Sequence, residues 1–379
     1  MAIVFNKDIS TTDLLLAYVN NVVEFYSDSV SPATKATITI GTSVKTVYAN
    51  PSGVFYFNFK EWITSIINTD NFKDDLSTDI LVDGYVYDCT DKVYFNPDIV
   101  FEVFLDDDTT ETATKNVKII SAYLQLDTYK QKYPINSSLD APVILSPYFN
   151  ATNNTCYLKH WEGFPFDIPI YTGTSTGLTI INQTNLLDTT FTPVNTVNRI
   201  AISDGYTTTT IENELALIDG FNVLKFTSND LDYYCTLEKI NDVCEGYYFK
   251  WINDLGGFNY WYFKNGSVDR SIKDLGELDN DFDNFVDTIS KTIQLGKTSN
   301  DTLSVSSDVI NEDENLLLSG ILDSPKIYLF TGQPFAKANY NDWMEVSLDT
   351  TRARITNPKR SLNIINLSFT LPQRNTRKL

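Results

Sequence analysis

The sequence predicts a mainly β protein, built of tandem β-sandwich or β-barrel domains with a few short helices. Three observations carry that expectation. Strand-forming aromatics dominate, with 22 Tyr, 23 Phe and 5 Trp against 2 Met and 1 His, and aromatic and β-branched side chains suit a pleated, half-buried surface. Many short segments alternate apolar and polar residues, the period of a strand with one face in a core. Asn, Asp, Gly and Pro punctuate these segments, as turns require. With 379 residues, 42% of them hydrophobic, the chain can bury a sizeable core and is long enough for about two or three domains.

Residues 1–130 form the first expected domain, an N-terminal β-sandwich with one helix. ATITIG (36–41) alternates, and SVKTVYANPSGVFYFNF (43–59) sets two strands about the turn Asn50-Pro51-Ser52-Gly53. In FKEWITSIIN (59–68), Phe59, Trp62, Ile63, Ile66 and Ile67 recur at helical spacing and share one face. ILVDGYVYDC (80–89) reads as a hairpin about Asp83-Gly84, followed by the strands IVFEVFL (99–105) and VKIISAYLQL (117–126). The Pro, Ser and Asn of 127–147 mark a boundary. Residues 140–240 predict a second sandwich-like domain from FDIPIYTG, GLTIINQT, NRIAISDG and NVLKFTS, with Pro165 and Pro169 pointing to edge or bulge positions. The third expected domain, 241–379, contains KIYLFTG, DWMEVSLDTTRARITN and SLNIINLSFTLP, a polar insert over 265–325 that suits short helices or a loop, and a basic C-terminal tail. No internal repeat of fixed period is visible.

Charge is divided along the chain. Arg352, Arg354, Lys359, Arg360, Arg374, Arg377 and Lys378 follow the last acidic residue, Asp349, so the final thirty residues carry +7 and the rest −27. An acidic body repels nucleic acid and anionic membranes, which argues against sequence-specific nucleic-acid or membrane partners. The basic tail has two readings, a solvated, frayed terminus, above all over 374–379, and a tail that pairs head to tail with the acidic body of a neighbouring subunit. Cys89, Cys156, Cys235 and Cys244 lack a C-x-x-C pair and read as reduced core residues. The start, MAIVFNKDISTTDLLLAYV, has neither a basic leader nor a membrane-length apolar run, so a soluble protein made in the cytoplasm is expected.

Little in the chain points to catalysis or a cofactor. The one histidine, His160, stands four residues from Cys156 in CYLKHWEG, too few ligands for zinc. There is no G-x-S-x-G, Walker A, G-x-G-x-x-G or H-E-x-x-H. DNDFDNFVD offers Asp279, Asp281, Asp283 and Asp287 as weak calcium candidates, but Asn284 stands where an EF-hand loop needs Gly and Ser290 where it needs Glu. Asp106-Asp107-Asp108 reads as a solvated loop tip.

The densest feature is YYFKWINDLGGFNYWYF, with nine aromatics among the seventeen positions from Tyr247 to Phe263. As a hairpin about Gly256-Gly257, it presents Tyr247, Phe249 and Trp251 on one face and Tyr248 and Lys250 on the other. A ligand platform needs one aromatic face in a polar setting. Bulk on both faces implies burial on both, against core and against another element or subunit. Tyr248, Trp251, Tyr260, Trp261 and Phe263 are therefore candidate interface residues.

FKWINDLGGFNYWYFK resembles a hairpin of the form L-K-W-L-N-x-L-G-G-x-x-Y-W-x-F in virion structural proteins of tailed phages infecting Bacteroidetes, crAss-like phages among them. NPSGVFYFNFKEWITSII is similar to their N-terminal strand–turn–strand–helix, and DWMEVSLDTTRARITNPKRSLNIINLSFTLP resembles the closing strands of tail-hub and distal-tail β-barrels. The middle block, 140–240, resembles nothing specific. The resemblance implies a non-enzymatic virion protein of the tail or neck, synthesised in the host cytoplasm, with a hub-like barrel at 241–379. It implies a homo-oligomeric hub or ring around the DNA exit channel, contacting other tail and neck proteins and needing no cofactor. Arg352, Arg354, Lys359, Arg360, Arg374, Arg377 and Lys378 would then pair with acidic neighbours. The alternative, a receptor- or glycan-binding tail adhesin, requires Trp251 or Trp261 exposed over a shallow groove.

Overall fold

Alternation of buried and exposed side chains becomes antiparallel sheet along most of the chain. The computed structural model describes residues 2–68, 71–74, 85–123, 142–146, 155–173, 175–205, 210–228, 231–243, 245–279, 282, 285–286, 288–331, 343–354 and 363–377. Two units divide the chain. The first is Met1–Asn241 with Ile252–Asn259, and the second is Asp242–Trp251 with Tyr260–Leu379.

The first unit begins with β1 (Ile3–Lys7), β2 (Leu14–Leu16), β3 (Val22–Ser27), β4 (Ala33–Ile40), β5 (Ser43–Val47), β6 (Phe55–Asn58) and the helix α1 (Lys60–Ile67). Then come β7 (Val86–Asp88), the short helix α2 (Thr90–Val93), β8 (Tyr94–Phe95), β9 (Asp98–Leu105), β10 (Thr110–Asn116) and β11 (Lys118–Ile120). The sheets β1-β3-β6 and β10-β9-β4-β5 share one core. In it Phe25 stacks on Phe55 at 5.1 Å and meets Phe101 edge-on at 5.2 Å, geometries that aromatic quadrupoles favour. α1 buries Trp62, Ile63 and Ile67 on the face read from its spacing, and the Trp62 indole donates to Ser43 Oγ at 3.1 Å. The Asn50–Gly53 turn is held by the Asn50 side chain, which accepts from the Ser52 and Val54 amides. That turn carries the chain from one sheet to the other, because β5 pairs with β4 and β6 with β3. A third sheet, β2-β11-β8, contains a parallel pair, β2 with β11.

The unit continues through β12 (Val143–Ile144), β13 (Thr155–Trp161), β14 (Pro165–Tyr171), β15 (Leu178–Asn182), β16 (Leu187–Phe191), β17 (Val197–Asp204), α3 (Ile211–Leu215), β18 (Gly220–Ser228) and β19 (Leu231–Ile240). They form the sheets β12-β14-β17-β7 and β13-β19-β18-β15-β16. The Asp83-Gly84 hairpin lies outside the described residues. The strand that follows it, β7, pairs with β17 through Asp88↔Asn198 to Val86↔Ile200. β14 is an inner strand despite its two prolines. Its register shifts between Phe166 and Asp167, beside Pro165, and Pro169 takes part as an acceptor, its carbonyl bound by the Leu145 amide at 2.8 Å, a role that needs no N–H.

The second unit holds most of β20 (Tyr247–Ile252) and β21 (Phe258–Phe263), then β22 (Asn265–Asp274), β23 (Glu277–Asp279), β24 (Thr292–Gln294), β25 (Lys297–Ser306), the helix α4 (Glu312–Ser319), β26 (Ile327–Phe330), β27 (Trp343–Leu348) and β28 (Asn366–Thr370). One antiparallel sheet runs in the linear order β21-β20-β26-β27-β28-β25-β22. The polar insert contains a long two-stranded ribbon, β22 with β25 and then β23 with β24, together with α4. Asn311 caps α4, accepting from the Glu314 amide at 2.9 Å while its own amide donates to Glu314 Oε2 at 2.8 Å, the reciprocal arrangement that satisfies two orphan donors. No described helix is long and apolar enough to cross a membrane.

Candidate functional site

The aromatic hairpin is built in two parts. In its stem, within the second unit, strand alternation sends bulky rings to both faces of the sheet. On one face Tyr248 stacks on Tyr260 at 5.9 Å and packs against Trp343 at 5.8 Å. On the other, Phe249 stacks on Phe369 at 4.6 Å and meets Phe263 edge-on at 5.5 Å. Lys250 is buried among the first set, its Nζ 4.3 Å from the Trp343 ring centroid and 5.3 Å from that of Tyr328, where ring quadrupoles stabilise the cation. Trp251 is 0% and Trp261 4% exposed, so the groove-facing tryptophan that a glycan platform needs is not formed by this stretch. The Trp251 indole N–H lies buried without a hydrogen-bond partner among the described residues.

The tip, Ile252–Asn259, belongs to the first unit. Asn253 organises it: its Oδ1 accepts from the Leu255 and Gly257 amides, and its Nδ2 donates to the Leu145 carbonyl at 2.9 Å and to Asn259 Oδ1 at 3.0 Å. The Tyr123 amide donates to the Asp254 carbonyl at 2.9 Å. The glycine pair is dictated by this docking as much as by the turn. A Cβ on Gly256, whose φ is +81°, would stand 2.7 Å from the Ser121 carbonyl oxygen. On Gly257 it would stand 2.3 Å from Pro169 Cγ and 2.6 Å from the Leu145 oxygen.

Beside the tip is an apolar cavity of about 330 Å³, walled by Tyr87, Cys89, Val93, Pro169, Val197 and Phe258. Arg199 closes one side. It is buried, makes a two-pronged contact with Asp167 through Nε at 3.0 Å and Nη2 at 2.5 Å, reaches Asp74 through Nη1 at 2.8 Å, and lies 4.6 Å from the Phe258 ring centroid. Burial pushes the Cys89 thiol up to about 12, so it stays protonated and is a poor nucleophile. Cys156 and Cys235 are likewise buried free thiols, facing each other in register on β13 and β19; Cys244 lies outside the described residues. His160 is buried on β13. Its Nε2 is 3.4 Å from Glu212 Oε2, and its Nδ1 has no partner among the described residues. Lys239 Nζ lies 2.5 Å from Glu212 Oε1 and 3.4 Å from Glu162. Burial resists ionisation of Glu212, but hydrogen bonds from His160 and Lys239 outweigh it and hold the carboxyl at about 2. With its cation and its histidine held by one carboxylate, this group ties α3 to β13 and β19.

Of the acidic candidates, Asp279 ends β23 in an exposed position, while Asp281, Asp283 and Asp287 lie outside the described residues. Among the described residues no three His, Cys, Asp or Glu side chains gather as a metal site. Of the basic candidates, Lys359, Arg360 and Lys378 are outside the described residues. Arg374 is bound within its own chain, Nη1 donating to Asp301 Oδ2 at 3.0 Å beside the Arg270 Nε bond to Asp301 Oδ1 at 2.7 Å. The Arg270 and Arg374 guanidiniums together lower the Asp301 carboxyl. Arg377 is exposed. Arg352 and Arg354 are exposed, have no acidic partner among the described residues, and line an open crevice of about 770 Å³ with Asn363, Ile364 and Asn366.

Sequence reasoning missed the ribbon. Every described side chain of β22, β23 and β24 is exposed, yet the stretch carries Val268, Ile272, Leu275, Leu278, Phe282, Phe285, Val286, Ile289 and Ile293 in exposed positions. Exposure reaches 71% at Phe282, 90% at Phe285 and 75% at Val286. The signal was there in the recurrent apolar residues, but their expected burial was not.

No protein-family profile matches the chain, and no curated protein matches it. Among solved structures it is similar to the fibronectin(III)-like modules of Clostridium thermocellum CbhA, at 6% identity, covering 64% of this chain and 97% of that one with a TM-score of 0.20. A titin A168–A169 fragment matches at 9% identity over 64% of this chain and 100% of that one, with a TM-score of 0.28. A tetra-tandem repeat from the extending region of a large adhesion protein matches at 11% identity over 80% of this chain and 55% of that one, with a TM-score of 0.22. Likenesses this distant add no weight, and the mainly β assignment stands on the sheets themselves.

Proposed function

We propose that this chain is a structural subunit of a phage tail, assembling as a hub or ring around the DNA exit channel and connecting neighbouring tail proteins. The observation that supports it most is the ribbon. A two-stranded element is marginal in water by itself, and a run of exposed apolar side chains along one marks a surface that another protein covers. Phe282, Phe285 and Val286 at its end make the isolated subunit incomplete. The charge of −27 outside the final thirty residues suits a channel lining that passing DNA does not stick to. The resemblance of the aromatic hairpin and of the two chain ends to phage virion proteins supplies the setting.

Light scattering on the eluting pure protein, with negative-stain imaging of virions, tests this reading. A chain that remains monomeric even with tail partners present refutes it. For the adhesin alternative, binding of host polysaccharide to the pure chain would have to use residues other than Trp251 and Trp261.

A further inference from the structure

The ribbon and the Arg352–Arg354 crevice lie at opposite ends of the same strands. β22 and β25 pair from Asn265↔Ser306 to Asp274↔Lys297. The ladder goes on through Leu275 N to Gly296 O and Leu295 N to Gly276 O, into β23 and β24. β28 flanks β25 only from Thr302 to Ser306. Nearer Lys297 the C-terminal segment lies alongside instead, with the Leu371 amide on the Asp301 carbonyl and Thr376 Oγ1 on the Lys297 carbonyl. Beyond Asp274 and Lys297 the ribbon is two strands alone among the described residues.

The crevice is at the other end. Ile365 and Ser307 exchange hydrogen bonds, and Asn363 Nδ2 donates to the Arg354 carbonyl at 2.8 Å. From Ser306 back to Thr292 the ribbon spans about 45 Å at the usual rise per residue. The path of the strands therefore carries Glu277 and Asp279 away from the crevice of their own chain.

The two ends are complementary. From Asp274 to Ser290 the sequence holds Asp274, Glu277, Asp279, Asp281, Asp283 and Asp287 and no Lys or Arg; Asp274 meets Lys297 at 3.6 Å across the ribbon, Asp281, Asp283 and Asp287 lie outside the described residues, and Glu277 and Asp279 are exposed, as are Phe282, Phe285 and Val286. The crevice offers two guanidiniums without acidic partners among the described residues, and Ile364, exposed at 49%. We propose that the acidic, phenylalanine-bearing end of the ribbon docks in the Arg352–Arg354 crevice of a second copy of this chain. The contact is heterologous, one patch meeting a different patch, so it propagates head to tail and closes into a ring if the rotation permits. It rests on the assembly reading above and names the surfaces that would carry it.

Full-length chains with reversed charge test the pairing. One carries Arg352→Glu with Arg354→Glu, the other Glu277→Arg, Asp279→Arg, Asp281→Arg and Asp283→Arg, which turns the net −6 of the stretch from Asp274 to Ser290 into +2. Glu277, Asp279, Arg352 and Arg354 are exposed, and each chain is expected to unfold at the wild-type temperature. Sedimentation should show self-association weakened by at least about tenfold in each, since repulsion replaces attraction at the docked end. An equimolar mixture should associate again, because the altered ribbon fits the altered crevice while the native ribbon fits the native crevice. Phe282→Ser with Phe285→Ser should weaken association by itself, and mixing it with the Arg352→Glu, Arg354→Glu chain should restore pairs but not longer oligomers, because only one of the two contacts is then native. The inference is overturned if either reversed chain associates as wild type does, or if the mixture stays monomeric. Wild-type oligomers unaffected by all three changes leave the ring reading standing and remove only this contact. A wild-type chain that is monomeric alone overturns the contact between copies, and virion imaging then decides the ring separately.

Discussion

Gly257→Ala asks whether the hairpin tip is docked or merely a turn. The added methyl would lie 2.3 Å from Pro169 Cγ and 2.6 Å from the Leu145 carbonyl oxygen, where carbon atoms settle at about 3.5–4.0 Å. One opponent is backbone and the other a rigid ring, so the tip must retreat by more than an ångström. Retreat breaks the Asn253 Nδ2 bond to the Leu145 carbonyl and the Tyr123 amide bond to the Asp254 carbonyl, each 2.9 Å long. Overpacking alone costs about 1–3 kcal/mol, and each buried bond adds about 1 kcal/mol when lost. The sum is a destabilisation of about 3–5 kcal/mol in the transition that unfolds the first unit. Gly177→Ala is the control. Nothing lies within 4 Å of its added methyl, and its φ is outside the left-handed region, so reduced unfolded-state freedom should leave it neutral or up to about 1 kcal/mol more stable. Urea unfolding followed by circular dichroism compares the two. Equal midpoints for Gly257→Ala and Gly177→Ala would refute the docked tip.

Arg199→Met should cost about 3–5 kcal/mol by urea unfolding, because it strands Asp167 and Asp74 without their shared cation; adding Asp167→Asn should recover part of the loss, and no recovery would deny the pairing. Glu212 is held below its ordinary 4.5, at about 2, so its contribution is complete above about pH 5 and disappears as pH falls toward 2. The stability difference between wild type and Glu212→Gln should accordingly be about 1–2 kcal/mol at neutral pH, discounted for partial exposure, and should shrink to nothing at the acid end; a difference that grows on acidification contradicts the assignment. Trp62, Trp161, Trp251 and Trp261 are buried, so native tryptophan emission should be blue-shifted, resist quenching by iodide, and stay unchanged by host polysaccharide; a shift on adding glycan would bring the platform reading of the hairpin back.

The sequence disclosed what is local. α1 announced itself by helical spacing, and the aromatic hairpin by bulk at nearly every position of a strand pattern, which leaves no polar face to expose. Pairing partners were not legible, because alternation says which face a residue takes and not which strand lies beside it. Hence β7 joins β17 from the far side of an expected domain boundary, and β2 with β11 and β13 with β19 are parallel. Gly256 and Gly257 were readable as a turn, but the reason alanine fails there lies in Leu145, Pro169 and Ser121, over a hundred places away by the arithmetic of their numbers at Leu145 and Ser121. The ribbon was the largest omission. Periodicity reports burial, and an element whose apolar side chains remain exposed in the single chain gives it nothing to report.

The mixture of charge and apolar bulk on that ribbon also bears on which partner it takes. Two identical ribbons could in principle pair edge to edge, since β22 has a free edge among the described residues; unpaired edges of this kind invite association. Such a pair, run antiparallel and centred on Leu278 of β23, would set Glu277 opposite Asp279 of the copy. Like charges set opposite each other are destabilising across a sheet. The same carboxylates are attracted by Arg352 and Arg354. The apolar side chains thus supply affinity without discrimination, and the acids discriminate, rejecting the symmetric pair and admitting the basic crevice. Salt separates the two effects. Screening weakens the ribbon–crevice attraction and relieves ribbon–ribbon repulsion together, so rising ionic strength should replace ordered head-to-tail oligomers with symmetric dimers or aggregates, a change of product that attraction alone would not produce.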